Sequence, residues 1–269
     1  IGDFTVGDIV LIKESGAYHV SPVSAVDTTT SAANITLLVA AASSPSDNVA
    51  IEKFTTYYPT DTGHKSISVT RYVEDAIRQQ ATGCKVTSCS LNNFSTGQLP
   101  ELGWSLEGLA YNEEVSALGL TPDYDSALPP IVLGACVYQD GTAVTVNNVS
   151  LTIDNGLGFI MSTCNENGKV SSRLTERTIT GSIDPYKDDA SVADFTKFDE
   201  NTTFSLFFYA KVDTGTSGEF QDVVACYLPN CLITSYGETD QDGILQQDIQ
   251  FRADRGSDGQ TNEVYIGYI

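Results

Sequence analysis

The stretch TITGSIDPYKDDASVADFTKFDENTTFSLFFYA, residues 178–210, holds two strands with a short acidic helix between them. Thr178 to Ile183 is an extended, β-branched run. Asp184 and Pro185 end it, because proline lacks a backbone donor and fixes a turn-like φ. Asp188 to Asn201 has the pattern of a helix, with Asp188 and Asp189 at its positive end. Val192, Phe195 and Phe198 recur at helical spacing and give it one apolar face. Thr203 to Val212 returns to the aromatic composition of a buried strand. One helix is therefore set into a chain that is otherwise β.

The same alternation extends outward from this stretch. Residues 1–58 have strands about every ten residues, separated by Ser, Gly and Asp, as in a small barrel or sandwich. They comprise Phe4–Ile12, broken by a Gly7-Asp8 turn, then Tyr18–Val20, Val23–Val26, Ile35–Ala40 and Val49–Tyr58. The chain opens on Ile1 inside a strand-like pattern, so a preceding segment is expected. Residues 59–121 add strands at Lys65–Val73, Lys85–Leu91 and Trp104–Leu109, with turn-rich Phe94–Pro100 between the last two. Glu74–Gln80 fits either a short helix or a twisted strand. The expected boundary is Thr121–Pro130, which carries Pro122, Pro129 and Pro130 and no apolar periodicity. Residues 130–269 hold further strands at Ile131–Tyr138, Val144–Ile153, Asp222–Leu228 and Ile244–Phe251. Val86-Thr-Ser-Cys-Ser-Leu91 and Val146-Asn-Asn-Val-Ser-Leu151 echo one another, which suggests a duplicated sandwich.

At 269 residues the chain is long enough for a substantial core, and its 41% apolar content is that of a folded protein. The longest apolar run, Ile35–Ala42, is far too short to span a bilayer. Fourteen Lys and Arg face 35 Asp and Glu, a net charge of −21. Such a surface does not hold nucleic acid, whose binding depends on cations displacing condensed counterions. Its simplest role is solubility.

The sequence offers little to catalysis. His19 and His64 stand apart, outside any nucleophile or metal motif, and no G-x-S-x-G or phosphate-binding glycine loop is present. Glu238-Thr-Asp-Gln-Asp-Gly243 begins like a calcium loop, but its twelfth position is Ile249 where a bidentate Glu is required, so an acidic β-turn is expected. Cys84/Cys89 and Cys226/Cys231 share a C-x4-C spacing, with Cys136 and Cys164 besides. Buried free thiols, a disulfide or a four-thiolate metal site are each compatible with that count. Trp104, the single tryptophan, is expected in the core, although an exposed sugar platform is the other use of such a residue.

Three segments resemble the tail tube proteins of long-tailed bacteriophages. Residues 81–111, ATGCKVTSCSLNNFSTGQLPELGWSLEGLAY, are similar to that family's strand, loop and strand entering Gly. Residues 178–210 are similar to its strand, acidic helix and strand. Residues 228–251, LPNCLITSYGETDQDGILQQDIQF, are similar to its late loop, where a proline precedes a strand and Asp242-Gly243-Ile244 leads into the last core strand. Residues 1–58 resemble a β-barrel insertion of its larger members. The likeness implies an all-β fold of tail-tube-type sandwiches, with 59–121 completing a first domain and 130–269 a second. It implies a structural virion protein, not an enzyme, with no catalytic, cofactor or metal residue. Subunits of this family form rings whose inner sheets join around a channel, and the rings stack and are bridged by arms. The apparent duplication favours a trimer of two-domain subunits over a hexamer. Other tail proteins at the tube ends, DNA passing through the lumen without specific binding, no membrane, and assembly in the host cytoplasm complete that expectation; a reducing cytoplasm argues against early disulfides. An acidic wall lets DNA slide where a basic one would hold it, so a net negative lumen is expected. The same fold serves distal tail or baseplate hub proteins, and a β-sandwich adhesin or carbohydrate-binding module is the alternative from another class.

Overall fold

The computed structural model describes the chain except residues 1–3, 15–16, 28–33, 42–44, 47–48, 75, 120, 122, 124–128, 217 and 257–261, and the side chains of 133–135 and 190. The expected boundary at Thr121–Pro130 lies mostly outside the described residues. Four short strands open the chain: β1 (Ile9–Glu14), β2 (Ala17–Asp27), β3 (Asn34–Leu37) and β4 (Ala50–Lys53), joined in the order β3-β2-β1-β4. The separate pieces expected at Tyr18–Val20 and Val23–Val26 are one strand, β2, and the strand expected from Ile35 to Ala40 ends at Leu37.

The rest of the chain builds one large sheet. Its strands are β5 (Thr55–Tyr57), β6 (Ile67–Val73), β7 (Ile77–Ser95), β8 (Glu101–Glu107), β9 (Ala110–Val115), β10 (Ile131–Gln139), β11 (Thr142–Val144), β12 (Val146–Met161), β13 (Lys169–Pro185), β14 (Phe204–Asp213), β15 (Phe220–Gln241), β16 (Ile244–Ala253) and β17 (Tyr265–Tyr268). The path runs β11-β10-β14-β15-β16-β13-β12-β7-β6. The expected helix is present as a 3₁₀ turn, Asp189–Ser191, leading into α1 (Val192–Glu200). Asn201 closes it in the left-handed conformation (φ 53°), and its N–H reaches the carbonyls of Lys197 and Phe198. Between β6 and β7 the chain turns through Glu74 at φ 50°, and Ile77 already pairs with Val73, so the strand alternative holds there.

Two layers arise because β15 serves both. Its first half pairs with β14 and β17, and beyond Cys231 its second half pairs with β16. Phe204, Leu206, Phe208 and Ala210 of β14 meet Val149, Leu151, Ile179, Ile183, Ile249 and Phe251 of the other layer in the main core. The alternate residues Phe207 and Tyr209 point the other way. With Tyr227 and Tyr265 they pack against Ile9, Leu11 and Val20 of the small sheet and against Phe54, which follows β4. β14 is thus buried on both faces, which explains its unbroken aromatic run. The echo strands pair with each other in a single sheet, Leu91 opposite Leu151 and Cys89 opposite Ile153.

Candidate functional site

β7 is 19 residues long and changes neighbours midway. Its first half, Ile77–Thr82, lies between β6 and β9; its second half lies between β12 and β8. Gly83 sits at the change with φ +65°, and the Leu109 side chain packs where a Cβ would stand, 2.8 Å away. Among the described residues, β8 and β9 pair with β7 alone, so their outer edge has no strand beside it from Glu101 to Val115. An open edge of that length is a template for another chain.

The side chains on this edge are apolar where they face the core side. Trp104 lies opposite Cys89 and Leu102 opposite Leu91, both on the core-facing side of β7. Yet Trp104 is 56% exposed, and Leu102 and Leu106 are exposed with it. The expectation of a buried Trp104 is therefore corrected: its face is the core face, but the opposite layer does not extend over β8. Beside it an apolar cleft of about 210 Å³ enters the sandwich between Leu91, Leu102, Ile153, Phe208, Cys226 and Ile266.

Beyond Gly83, β6, the first half of β7, and β9 form a three-stranded arm that contributes nothing to either core. Val69, Ala81 and Tyr111 align on one face, as do Val73, Ile77 and Val115. Tyr111 is 62% and Val115 91% exposed. The opposite face is polar, with Thr70, Gln80 and Asn112 in register and an Arg78–Glu114 ion pair at 2.6 Å.

The outer face of β12, β13 and β16 is a bare polar wall. Ser150, Thr152, Thr180, Ser182, Thr234, Asp248 and Gln250 line a shallow groove there. Ser150 and Ser182 share a hydrogen bond of 2.7 Å, and the Thr234 hydroxyl donates to the Gln250 carbonyl at 3.2 Å. Exposed Asp154 lies on the same outward series of β12 as Ser150 and Thr152. Arg252 is neutralised by Asp254 at 2.8 Å, so the wall is net acidic.

At the far end of β12 and β13 sits α1. It buries Asp194 rather than its aromatic residues; Phe195 is 51% and Phe198 37% exposed, both against Tyr236 with ring centroids 5.6 and 6.3 Å away. Asp194 accepts a 2.7 Å hydrogen bond from Gln139. Burial raises its pKa above the usual carboxylate range, against the opposing effect of that bond and of Lys197. Lys197 pairs with Asp140 at 2.8 Å, tying the helix to the β10–β11 turn. Buried Gln247 donates to the Ser191 carbonyl at 3.1 Å and to the Tyr236 hydroxyl at 3.0 Å.

The remaining sequence candidates are dispersed. His19 Nε2 lies 3.0 Å from the Val39 carbonyl. His64 lies near the Arg177–Glu263–Arg255–Asp61 charge network that holds the chain after β5. None of the six cysteines is in a disulfide; Cys164 is exposed and Cys84, Cys89, Cys226 and Cys231 are buried, and burial pushes the thiols of Cys89, Cys226 and Cys231 up, away from reactive thiolate. The acidic segment 238–243 is a hairpin: Asp242 (φ 54°) and Gly243 (φ 82°) form the two-residue turn between β15 and β16, as a type I′ geometry requires. Among the described residues no helix is long and apolar enough to cross a membrane.

No curated protein matches the chain. The family model described as phage tail tube protein matches residues 14–253, which take in β2 to β16, α1, the arm and the open edge. The chain belongs to the phage tail tube protein family, and its role is that of a structural component of the virion's tail tube.

Proposed function

We propose that copies of this chain close into rings by joining sheet edges, that the rings stack into a hollow rod, and that DNA leaves the virion through the bore. The observation that carries this reading is the open β8–β9 edge, where unpaired backbone and the uncovered strip of Leu102, Trp104 and Leu106 coincide. Strand addition satisfies the backbone groups, while the incoming copy covers the strip. A head-to-tail contact of this kind closes when the rotation per copy divides a full turn.

The net acidic wall of β12, β13 and β16 is the proposed channel lining. Its hydroxyls and amides stay hydrated, and Asp154 and Asp248 repel a polyanion carrying one charge per ~1.7 Å of duplex. Aspartate-to-lysine changes at both positions are expected to slow or stall DNA release from assembled tails. Neither histidine nor any thiol has the setting of a nucleophile or general base, so the proposed role is mechanical, without catalysis or cofactor. Assembly takes place in the host cytoplasm, with other tail proteins capping the rod.

Ring order is the finer question. The sequence echo favours three copies of a two-module chain. The pairing of the two echo strands in one sheet, with one helix among the described residues, supports one module per chain and hence six copies. The mass of isolated rings separates these outcomes. A distal hub would stop at one ring, and an adhesin would remain a monomer that binds glycan through Trp104. Electron microscopy of the concentrated protein tests the main reading: hollow rods are expected, and a protein that stays monomeric at every concentration would refute it.

A further inference from the structure

The two layers of the sandwich leave a gap where β7 and β8 face β15 and β17. Protein interiors are packed to crystal-like density, with few voids larger than a water molecule. Here a cleft of about 210 Å³ remains. Its cause lies in the side chains. Cys89 stands on the β7 wall, and Val224 and Cys226 stand on one face of β15; all three are small. Leu91, Ile153 and Ile266 flank the space, and each joins the main core only as a half-buried member. Their cleft side lacks the contact atoms that a filled core would supply.

The lining has one kind of chemistry. Every residue that bounds the cleft is aliphatic, aromatic or a thiol, with no charged side chain, amide or hydroxyl among them. Phe94 and Phe208 meet edge to face in its wall, ring centroids 4.9 Å apart. Burial pushes the Cys89 and Cys226 thiols up, so both present neutral, polarizable sulfur. Water gains little in such a space, because it needs polar partners. A charged molecule would lose its hydration there and find nothing to replace it. A dry cavity of about 150 Å³ lined by Leu, Ile and Phe takes up benzene, so this cleft has room for one ring with a small alkyl substituent. It is also reachable: Leu102, which lines it from β8, is 44% exposed.

We propose that the cleft is a binding site for a small uncharged aromatic molecule, one ring in size, held between the Phe94–Phe208 pair and the two thiols. The site is built within a single subunit, so it depends on neither ring closure nor stacking. A bound ring supplies the contacts that Leu91, Ile153 and Ile266 lack, and it stabilises the subunit by mass action.

Toluene and benzoate are the probes, alike in ring and opposed in charge. The full chain, carrying ¹³C-labelled Ile, Leu and Val methyl groups, is kept dilute and unassembled and titrated with each. Toluene is expected to shift the methyl resonances of Leu91, Leu102, Ile153 and Ile266 in a saturable way. Those of Ile9, Leu11 and Val20, in the second core, should stay unmoved. Benzoate should bind at least about tenfold more weakly, because its carboxylate is desolvated without a partner. Val224→Phe puts a ring into the cleft from its own wall and should abolish the toluene shifts. Leu102→Trp, a change at an exposed position, narrows the open side and should weaken toluene at least about tenfold even where the Val224 variant fails to fold. Methyl groups unmoved at saturating toluene, benzoate binding as tightly as toluene, or full toluene affinity in the folded variants would each overturn the proposal. So would shifts of the same methyl groups that grow with protein concentration before any probe is added, because they would give the cleft to a side chain of a second copy.

Discussion

β14 and the arm are made of the same kind of strand and meet opposite fates. β14 has Leu206 and Phe208 against one layer and Phe207 and Tyr209 against another, all buried. The arm has its own apolar row, half-buried Val73 and Ile77 and exposed Val115, and among the described residues it joins neither core. A few strands gain independent stability only by burying a face. The sandwich therefore folds on its own account, and the arm is held in shape by β7, which runs from one region into the other. Cooperative stability and the proposed assembly surfaces thus reside in different parts of one sheet.

Four expected outcomes bear on that division, beginning with the largest. Phe208→Ala removes a fully enclosed ring and should cost about 3–5 kcal/mol in urea unfolding of the unassembled subunit; a loss below about 1 kcal/mol would mean that the two layers do not depend on this contact. Gly181→Ala places a Cβ against the Ser150 carbonyl oxygen and 2.5 Å from the Phe251 ring, both in the core sheet. A loss of about 1–3 kcal/mol is expected from such overpacking, read as a lower midpoint at unchanged slope. Val115→Asp should do the reverse of the Phe208 change. Subunit stability stays within about 0.5 kcal/mol, while the concentration needed for rods rises roughly tenfold, the equivalent of about 1.4 kcal/mol per contact. An unfolded V115D subunit would erase the contrast drawn here.

The smallest effect concerns Asp194. Its folded pKa lies above the unfolded value, so the folded state binds more protons between the two. Its contribution therefore favours the fold on the acid side and is lost as pH rises through the raised pKa. Asp194→Asn removes the buried charge while an amide oxygen still accepts from Gln139. The variant is expected to gain on the wild type at neutral pH and to lose that advantage at low pH; an advantage independent of pH would assign the effect to packing.

The sequence showed the fold most clearly where chemistry punctuates it. Pro185, the acidic start of the helix and the aromatic run of β14 locate strand, helix and strand, and Asp242-Gly243 marks a turn that requires two positive φ angles. It did not show how far the strands extend. β12 and β13 continue to Met161 and from Lys169 through mixed polar residues, and β9 and β17 are short, so alternation is weak or brief in each. Trp104 was misplaced for a related reason. Period two tells which face a residue occupies, but whether the facing layer reaches that far is a property of the whole sandwich. The open edge was legible only as an expectation of the family, because pairing partners are long-range.

The central claim is that the backbone of β8 and β9 waits for a second copy. Hydrogen exchange of the Glu101–Val115 amides, compared between the unassembled subunit and the rod, tests it directly. The alternate amides that do not reach β7 should exchange rapidly in the free subunit and become protected by at least about a hundredfold in the rod, the mark of strand pairing. Equal exchange in the two states, with rods present, would show that the subunits join elsewhere.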